Sequence, residues 1–194
     1  MKSRRLLLYF LNLLFVMVLA AGTVLIFLPQ SLADIDRTSG GRILASDLLE
    51  QTNRAILGGR SFKCSEKALN DHLRLVVNAR EAGGFEIFSE FKSLLVRLND
   101  DSLEIVFERD VLGFTTTVSA ELTIKMFTEG SGKMTEVKVI GGKFGSLPVP
   151  KNFVGLIRKE LENVAKVLAP EKEVLSCLGG IIVRDGWLIL KPHI

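Results

Sequence analysis

The chain has 194 residues, of which 47% are hydrophobic and 24% are charged. Its formal net charge of +3 equals the charge of Lys2, Arg4 and Arg5, so the remaining chain is neutral overall. A neutral body argues against a nucleic-acid-binding protein, which needs clustered basic charge. The apolar content argues against disorder. Two cysteines are too few for a disulfide framework or a four-ligand zinc site.

The amino-terminal segment predicts a membrane anchor. Residues 6–28 are uncharged and mostly apolar. As a helix they would be about 35 Å long, enough to cross a hydrocarbon core of about 30 Å. Basic residues precede this segment, and the residues after it carry no net positive charge. The positive-inside rule therefore places residues 1–5 in the cytoplasm and the rest of the chain outside, as a single-pass protein.

A cleaved signal peptide is the alternative interpretation of the same segment. Ser31-Leu32-Ala33 has the small-x-small form that signal peptidase prefers. The apolar core of a secretory signal is usually about 7–15 residues, which is shorter than residues 6–28. We therefore favour an uncleaved anchor, and cleavage near Ala33 stays open.

The two cysteines, Cys64 and Cys177, would both lie outside the membrane, where disulfides persist. They would form either one bridge that closes a long loop or two buried free thiols. A bridge requires Cα atoms within about 7 Å, which the sequence does not reveal, so both alternatives stay open.

Residues 29–45 predict a juxtamembrane linker, and residues 46–194 predict one exported domain. A helix is expected from Ser46 to about Leu57, and a second helix from Ser65, whose hydroxyl would cap it. Residues 151–168 carry the strongest helical stripe of apolar side chains, and Pro170 is expected to end that helix.

The centre of the domain predicts an antiparallel sheet. From Phe114 to Met126, apolar residues alternate with polar ones such as Thr117 and Ser119. This period of two is typical of a strand with one buried face and one solvated face. Asn99-Asp100-Asp101 marks a turn before the preceding strand.

Two further features mark the ends of the sheet region. Pro148 and Pro150 are expected to break the sheet. Arg184-Asp185-Gly186 lies between two apolar runs and predicts a closing hairpin. The predicted fold class is therefore α+β: an N-terminal transmembrane helix, then a long curved antiparallel sheet wrapped on amphipathic helices.

Motifs for catalysis are few. The sequence has no His-Glu-x-x-His motif, no Gly-x-Ser-x-Gly motif and no P-loop. A thiol–imidazole pair of Cys64 and His72 is conceivable. We favour instead a solvated His72 and a buried or bridged Cys64. We therefore expect no enzyme, no metal site and no cofactor.

Three stretches together resemble a known family. They are Ser65-Glu66-Lys67-Ala68-Leu69-Asn70-Asp71-His72-Leu73, then Phe144-Gly145-Ser146-Leu147-Pro148-Val149-Pro150, and finally Ile182-Val183-Arg184-Asp185-Gly186-Trp187-Leu188. They are similar to the helix start, the proline turn and the closing hairpin of YpmS-like single-span bacterial membrane proteins, whose architecture is similar to tubular lipid-binding (TULIP-type) modules. The resemblance covers roughly Ser61 to the end and transfers no catalytic residue. The resemblance implies a long helix cradled by a curved sheet, with an apolar ligand. The expected location is the bacterial cytoplasmic (inner) membrane, with a periplasmic domain. We expect Asn70 to bind backbone at the end of the sheet.

Two functional hypotheses follow. In the first, the exported domain is a non-catalytic module that binds lipid or another hydrophobic ligand. Its apolar groove would be lined by Leu103, Ile105, Phe107, Val118, Leu122, Ile124, Phe153 and Ile157. In the second, the protein is an envelope scaffold or interaction protein with a closed core and a protein partner.

Overall fold

The computed structural model describes residues 2–33, 35, 45–80, 89–129, 132–152, 155 and 158–192. The helices in these residues are α1 (Lys2–Phe27), α2 (Ala45–Leu57), α3 (Glu66–Arg80), α4 (Arg158–Val167) and α5 (Ala169–Ser176). The strands are β1 (Phe62–Ser65), β2 (Ser89–Asn99), β3 (Ser102–Val111), β4 (Phe114–Glu129), β5 (Gly132–Phe144), β6 (Leu147–Pro150), β7 (Leu178–Arg184) and β8 (Trp187–Pro192).

The fold is α+β, with an apolar amino-terminal helix followed by antiparallel sheets. Strands β2 to β6 form a five-stranded meander in sequence order, and β1, β8 and β7 form a three-stranded sheet in that spatial order. The predicted closing hairpin is confirmed as β7–β8, with Asp185-Gly186 in its turn. The structure thus has two sheets in the region where the sequence predicted a single long one.

The main core lies between the apolar face of the meander and the helices α3 and α4. Phe107 of β3 is 0% exposed and belongs to one cluster with Leu73 and Val77 of α3 and Val164 of α4. Val183 of β7 belongs to the same cluster, so the second sheet packs on this core too. Of the apolar stripe predicted for residues 151–168, the described members Leu161, Val164 and Leu168 therefore do pack on this core.

Helix α3 is fixed to the edge strand β2 by two of its polar side chains. Asn70 bonds both backbone groups of Val96, donating from Nδ2 to the carbonyl at 2.8 Å and accepting from the amide at 2.6 Å. One turn earlier, Glu66 accepts from the amide of Leu98 at 2.7 Å. The step from Glu66 to Asn70 is four residues along α3, and the step from Leu98 to Val96 is two residues along β2. Both steps advance about 6–7 Å, so the two side chains are spaced to match the two backbone sites. The backbone role expected for Asn70 is confirmed, and the Ser65 cap is confirmed by its bond from the Ala68 amide.

Of two expectations about proline, the one for Pro148 and Pro150 is wrong, and the one for Pro170 is confirmed because α4 ends at Val167. Pro148 and Pro150 lie within β6, which pairs with β5 at the edge of the meander, where a strand tolerates a missing amide donor. Pro170 does not only end a helix, because it occupies the first turn of α5, where its fixed φ is favourable. Of the predicted helix 151–168, the structure has α4 from Arg158; Phe153 and Ile157 lie outside the described residues.

The last turn of α1 docks on the turn between β5 and β6. The Ser146 amide donates to the Leu25 carbonyl at 2.9 Å, and the Ser146 hydroxyl donates to the Leu28 carbonyl at 3.1 Å. Gly145 has φ +55°, and a Cβ there would collide with the carbonyl oxygens of Leu25 and Ile26. Only glycine therefore fits this turn, since it adopts the left-handed region readily and leaves room for the helix end.

After α1, the chain crosses the polar face of the meander as a strap, which we define as residues 29–33 and 35. The backbone amide of Gln30 donates to the Thr117 hydroxyl at 2.9 Å, and its side-chain Nε2 donates to the Ser119 hydroxyl at 3.0 Å. Leu32 and Ile35 pack with Leu95 and Val106 in a second apolar cluster. Thr117 and Ser119 are 0% and 1% exposed. The expectation that this face of β4 is solvated is therefore wrong at both positions, because the strap covers them.

Helix α1 is compatible with a single-pass membrane protein. Its segment Tyr9–Phe27 is long and apolar enough to cross a membrane, and no other helix in the described part of the chain meets that test. The described side chains from Tyr9 to Val24 are exposed, so the helix extends away from the domain beyond its docked last turn.

We expect the strap to stabilise the domain. A chain that begins at Asp34, as after cleavage behind Ala33, loses Leu32 and both Gln30 bonds, and should unfold with a free energy lower by on the order of 3 kcal/mol. The matched control is a chain that begins at Pro29, which keeps the strap without α1. Urea unfolding of the two chains measures the difference, and equal midpoints would contradict a stabilising role for the strap.

Candidate functional site

The candidate site is an apolar cavity of about 150 Å³ on the side of α3 that faces the three-stranded sheet. It is partly open to solvent. Most of its lining is aliphatic or aromatic, with contributions from α2, β1, α3, α5 and β8. The lining residues used below are Thr52, Cys64, His72, Glu171, Val174 and Leu188.

The cavity arises because short elements meet here without filling the space between them. Helix α2 presents Leu48 and Thr52, one turn apart, on the side that faces α3. Strand β1 pairs with β8, so that Cys64 lies opposite Leu188. Helix α5 closes the far wall with Val174. Leu48, Thr52 and Cys64 are buried, and Val174 and Leu188 are half-buried. Together these side chains form a concave, mostly apolar surface.

Two of the polar groups in the lining are satisfied within the protein. The Thr52 hydroxyl donates to the Leu48 carbonyl at 2.7 Å, and the Cys64 thiol donates to the Ser65 carbonyl at 3.4 Å. Both groups therefore present mainly carbon or sulfur surface to the cavity.

His72 and Glu171 form the polar point of the site. The His72 Nε2 atom lies 3.4 Å from Glu171 Oε1, and the two side chains are 6% and 12% exposed. The His72 Nδ1 atom is buried and has no hydrogen-bond partner among the described residues. The expectation that His72 is solvated is therefore wrong, because α2 and α5 enclose it.

The structure places Cys64 and His72 on the same cavity, but it does not favour a nucleophilic thiol. Burial raises the pKa of the Cys64 thiol from its ordinary value of 9.0 to about 11. A reactive cysteine needs the opposite shift, toward thiolate at neutral pH. The geometry therefore supports a packing role for Cys64.

The described residues among those predicted to line an apolar groove lie on the meander, in or beside the main core that adjoins the cavity. Phe107 and Leu122 are buried, at 0% and 9% exposure. Leu103, Ile105 and Ile124 are half-buried and pack against the main core, and Val118 packs against Ala120. Phe153 and Ile157 lie outside the described residues. The structure thus gathers the described members on one sheet face, next to α3 and α4.

The cavity residues were not predicted as a site. Thr52 and His72 are single polar residues on amphipathic helices, and such residues usually mark a solvated face. Val174 lies in α5, a helix that the sequence analysis did not predict. A signal was nevertheless present, because Leu48 and Thr52 lie one turn apart and Leu69 and Leu73 repeat that spacing.

Both cysteines are free thiols in the structure. Cys64 is buried, whereas Cys177 is exposed after the end of α5, where its thiol lies 3.6 Å from the Glu173 carbonyl oxygen.

A second polar group of residues lies under the strap. Glu104 is 5% exposed and has Arg97 at 2.7 Å, Lys143 at 3.5 Å and the Ser119 hydroxyl at 2.7 Å. Arg97 also donates to the Ser31 carbonyl of the strap at 3.2 Å. Glu104 thus pairs with Arg97 and Lys143. Since Arg97 also bonds the strap, we infer that these residues hold the strap on the sheet.

The described residues contain no group of three or more His, Cys, Asp or Glu side chains that could hold a metal ion. A scan against models of known protein families finds no match, and a search of curated proteins finds no similar sequence.

The pKa of Cys64 gives a pH-dependent contribution to stability. The folded thiol stays protonated up to about pH 11, whereas the unfolded thiol ionises near 9.0. The free energy of unfolding should therefore decrease as pH rises from 9.0 to about 11, and this part of the decrease should be absent in Cys64→Ser. Urea unfolding below and within that range measures it. Cys177→Ser is the control and should keep the wild-type pH dependence; an unchanged dependence in Cys64→Ser would contradict the prediction.

Proposed function

We propose that this protein is a membrane-anchored, non-catalytic binding module of the bacterial envelope, whose exported domain binds the apolar part of a lipid or another hydrophobic ligand. The observation that carries the proposal is the partly open apolar cavity around His72. Its lining combines many aliphatic side chains with one buried polar point, which is the usual composition of a small-molecule site.

The size of the cavity limits the ligand. Sites for drug-sized molecules are about 300–1,000 Å³, whereas an apolar cavity of about 150 Å³ holds a molecule the size of benzene. We therefore propose that the cavity takes one ring or the end of one acyl chain, with the remainder of the ligand outside.

The placement of the protein is part of the same proposal. Helix α1 would remain uncleaved in the cytoplasmic membrane with residues 1–5 inside, and the domain would lie in the periplasm. The burial of Leu32 and Ile35 around Ala33 supports an uncleaved chain, since both positions belong to the folded domain. The TULIP-like arrangement, with a curved sheet wrapped on helices, also belongs to this proposal.

A scaffold function is the second candidate, and the packing of the meander favours it. Phe107 is fully buried between the sheet and α3, as expected for a closed core rather than a groove. In this alternative the domain carries no ligand, and its surface binds a protein partner of the envelope.

Native mass spectrometry of the full chain tests the binding function. After mild detergent extraction, the wild-type protein should retain an apolar molecule. Val174→Trp should lose it, because the larger side chain fills the cavity. Val137→Trp, at a position of β5 that is 57% exposed, is the matched control and should retain it. A bare mass for wild type and control alike would favour the scaffold function instead.

The exposed thiol of Cys177 tests the orientation. A membrane-impermeant maleimide added to intact spheroplasts should label the wild-type protein, because Cys177 would lie outside the cytoplasmic membrane. Cys177→Ser should not be labelled, since Cys64 is buried. Labelling of the wild-type protein only after lysis would place the domain in the cytoplasm and refute the proposal.

A further inference from the structure

We propose that the turn between β3 and β4 is a second membrane contact, which inserts Leu112 and Phe114 into the surface of the bilayer that holds α1. This inference rests on the proposed anchoring by α1. It adds a lipid-facing surface on the domain itself.

The topology places this turn next to the anchor. Successive turns of a meander lie at alternate ends of the sheet, so the β3–β4 turn and the β5–β6 turn share one end. Helix α1 docks at that end, on Gly145 and Ser146. The Gly145 amide donates to the Thr117 carbonyl at 2.6 Å, and Phe114 lies three residues further along β4. The hairpin therefore extends about 10 Å beyond the level at which α1 docks.

The tips of the two turns differ in chemistry. Behind these tips, Lys92 and Asp110 form an ion pair at 2.9 Å near Leu112, and Trp187 is 41% exposed near Asp100. Leu112 and Phe114 are 79% and 65% exposed at the end that carries α1. At the opposite end, the β2–β3 turn carries the exposed acidic residues Asp100 and Asp101. Exposed leucine and phenylalanine suit the boundary between headgroups and acyl chains, whereas adjacent carboxylates do not. This polarity matches a domain that stands on the membrane with the Leu112 end down.

The backbone of the turn gives independent support. Leu112 and Gly113 have φ values of +54° and +84°, the combination found in a type I′ hairpin turn. Asparagine, aspartate or glycine usually occupies the first of these positions, because a branched apolar residue is strained at positive φ. A strained residue held at an exposed position points to a use for its side chain.

These observations favour a lipid bilayer over a protein as the partner of the β3–β4 turn. The turn projects beside the exit of α1, whose exposed apolar side chains, such as Val24 and Phe27, would be in lipid. The apolar surface of the hairpin tip thus lies at the end of the domain from which the apolar helix extends. A lipid surface would cover both with no additional partner.

Fluorescence of the full chain in vesicles tests the proposal. A single environment-sensitive label is attached to Leu112→Cys or Phe114→Cys in a Cys177→Ser background, in phosphatidylcholine–phosphatidylglycerol vesicles that contain spin-labelled acyl chains. Both labels should show blue-shifted emission and quenching by these lipids. The controls are Asp100→Cys, at the opposite end, and Val137→Cys, an exposed apolar position roughly 20 Å along β5 from Phe144. Neither control label should be quenched.

The outcomes are separable. If the chain floats with the vesicles but the Leu112 and Phe114 labels resemble the Asp100 label, the second contact is refuted and the anchor stands. If the chain does not float, the anchoring is refuted, and this inference with it. If the Leu112→Cys thiol is shielded from a soluble maleimide in cells but its label is unquenched in vesicles, a protein covers the turn and the lipid contact is refuted.

A second variant separates folding from membrane contact. Leu112→Asn should raise the melting temperature of the chain, because asparagine adopts the left-handed conformation more readily. It should also reduce the quenching of a label at Phe114→Cys, since one of the two inserted side chains is lost. Unchanged quenching in this variant would overturn the role of Leu112.

Discussion

The arrangement of the molecule depends on the contact between the end of α1 and the β5–β6 turn. A helix leaves its last carbonyls without partners in its own backbone, and those groups need donors from elsewhere. Ser146 supplies a donor to Leu25 and another to Leu28, and the missing side chain of Gly145 makes the approach sterically possible. From this point the strap is directed across the sheet, where Gln30 and Leu32 are buried. Helix α1, the strap and the meander are therefore joined by direct contacts.

The features that the sequence predicted correctly depend on neighbouring residues. The alternation in Phe114–Met126 identified β4, Asp185-Gly186 identified the last hairpin, and Ser65 identified the start of α3. The features it missed depend on distant residues. The Gln30 amide meets Thr117, 87 positions away, and nothing in the alternation of β4 reveals that cover. Pro170 can end one helix or begin another, and only the structure shows that it does both, since α4 ends at Val167 and Pro170 lies in the first turn of α5.

The candidate site illustrates the same limit. The apolar residues of β3 and β4 were conspicuous because they alternate, but alternation reports burial and does not distinguish a core from a groove. Phe107 is core. The cavity forms instead where α2, β1, α5 and β8 meet, and these four elements span most of the domain sequence. No local pattern could bring Thr52, Cys64 and Glu171 together around His72. The binding proposal therefore depends on the tertiary structure, whereas the membrane proposal depends mainly on composition.

The two-point attachment of Ser146 to the last turn of α1 has a mechanical consequence. A flexible linker would let the domain rotate independently of α1. Here two hydrogen bonds from Ser146 couple the rotation of α1 to that of the sheet. Successive residues of a helix are offset by about 100° around its axis. With α1 in the membrane as proposed, the face of α1 that contacts a neighbouring helix would therefore determine the direction in which the cavity at His72 opens.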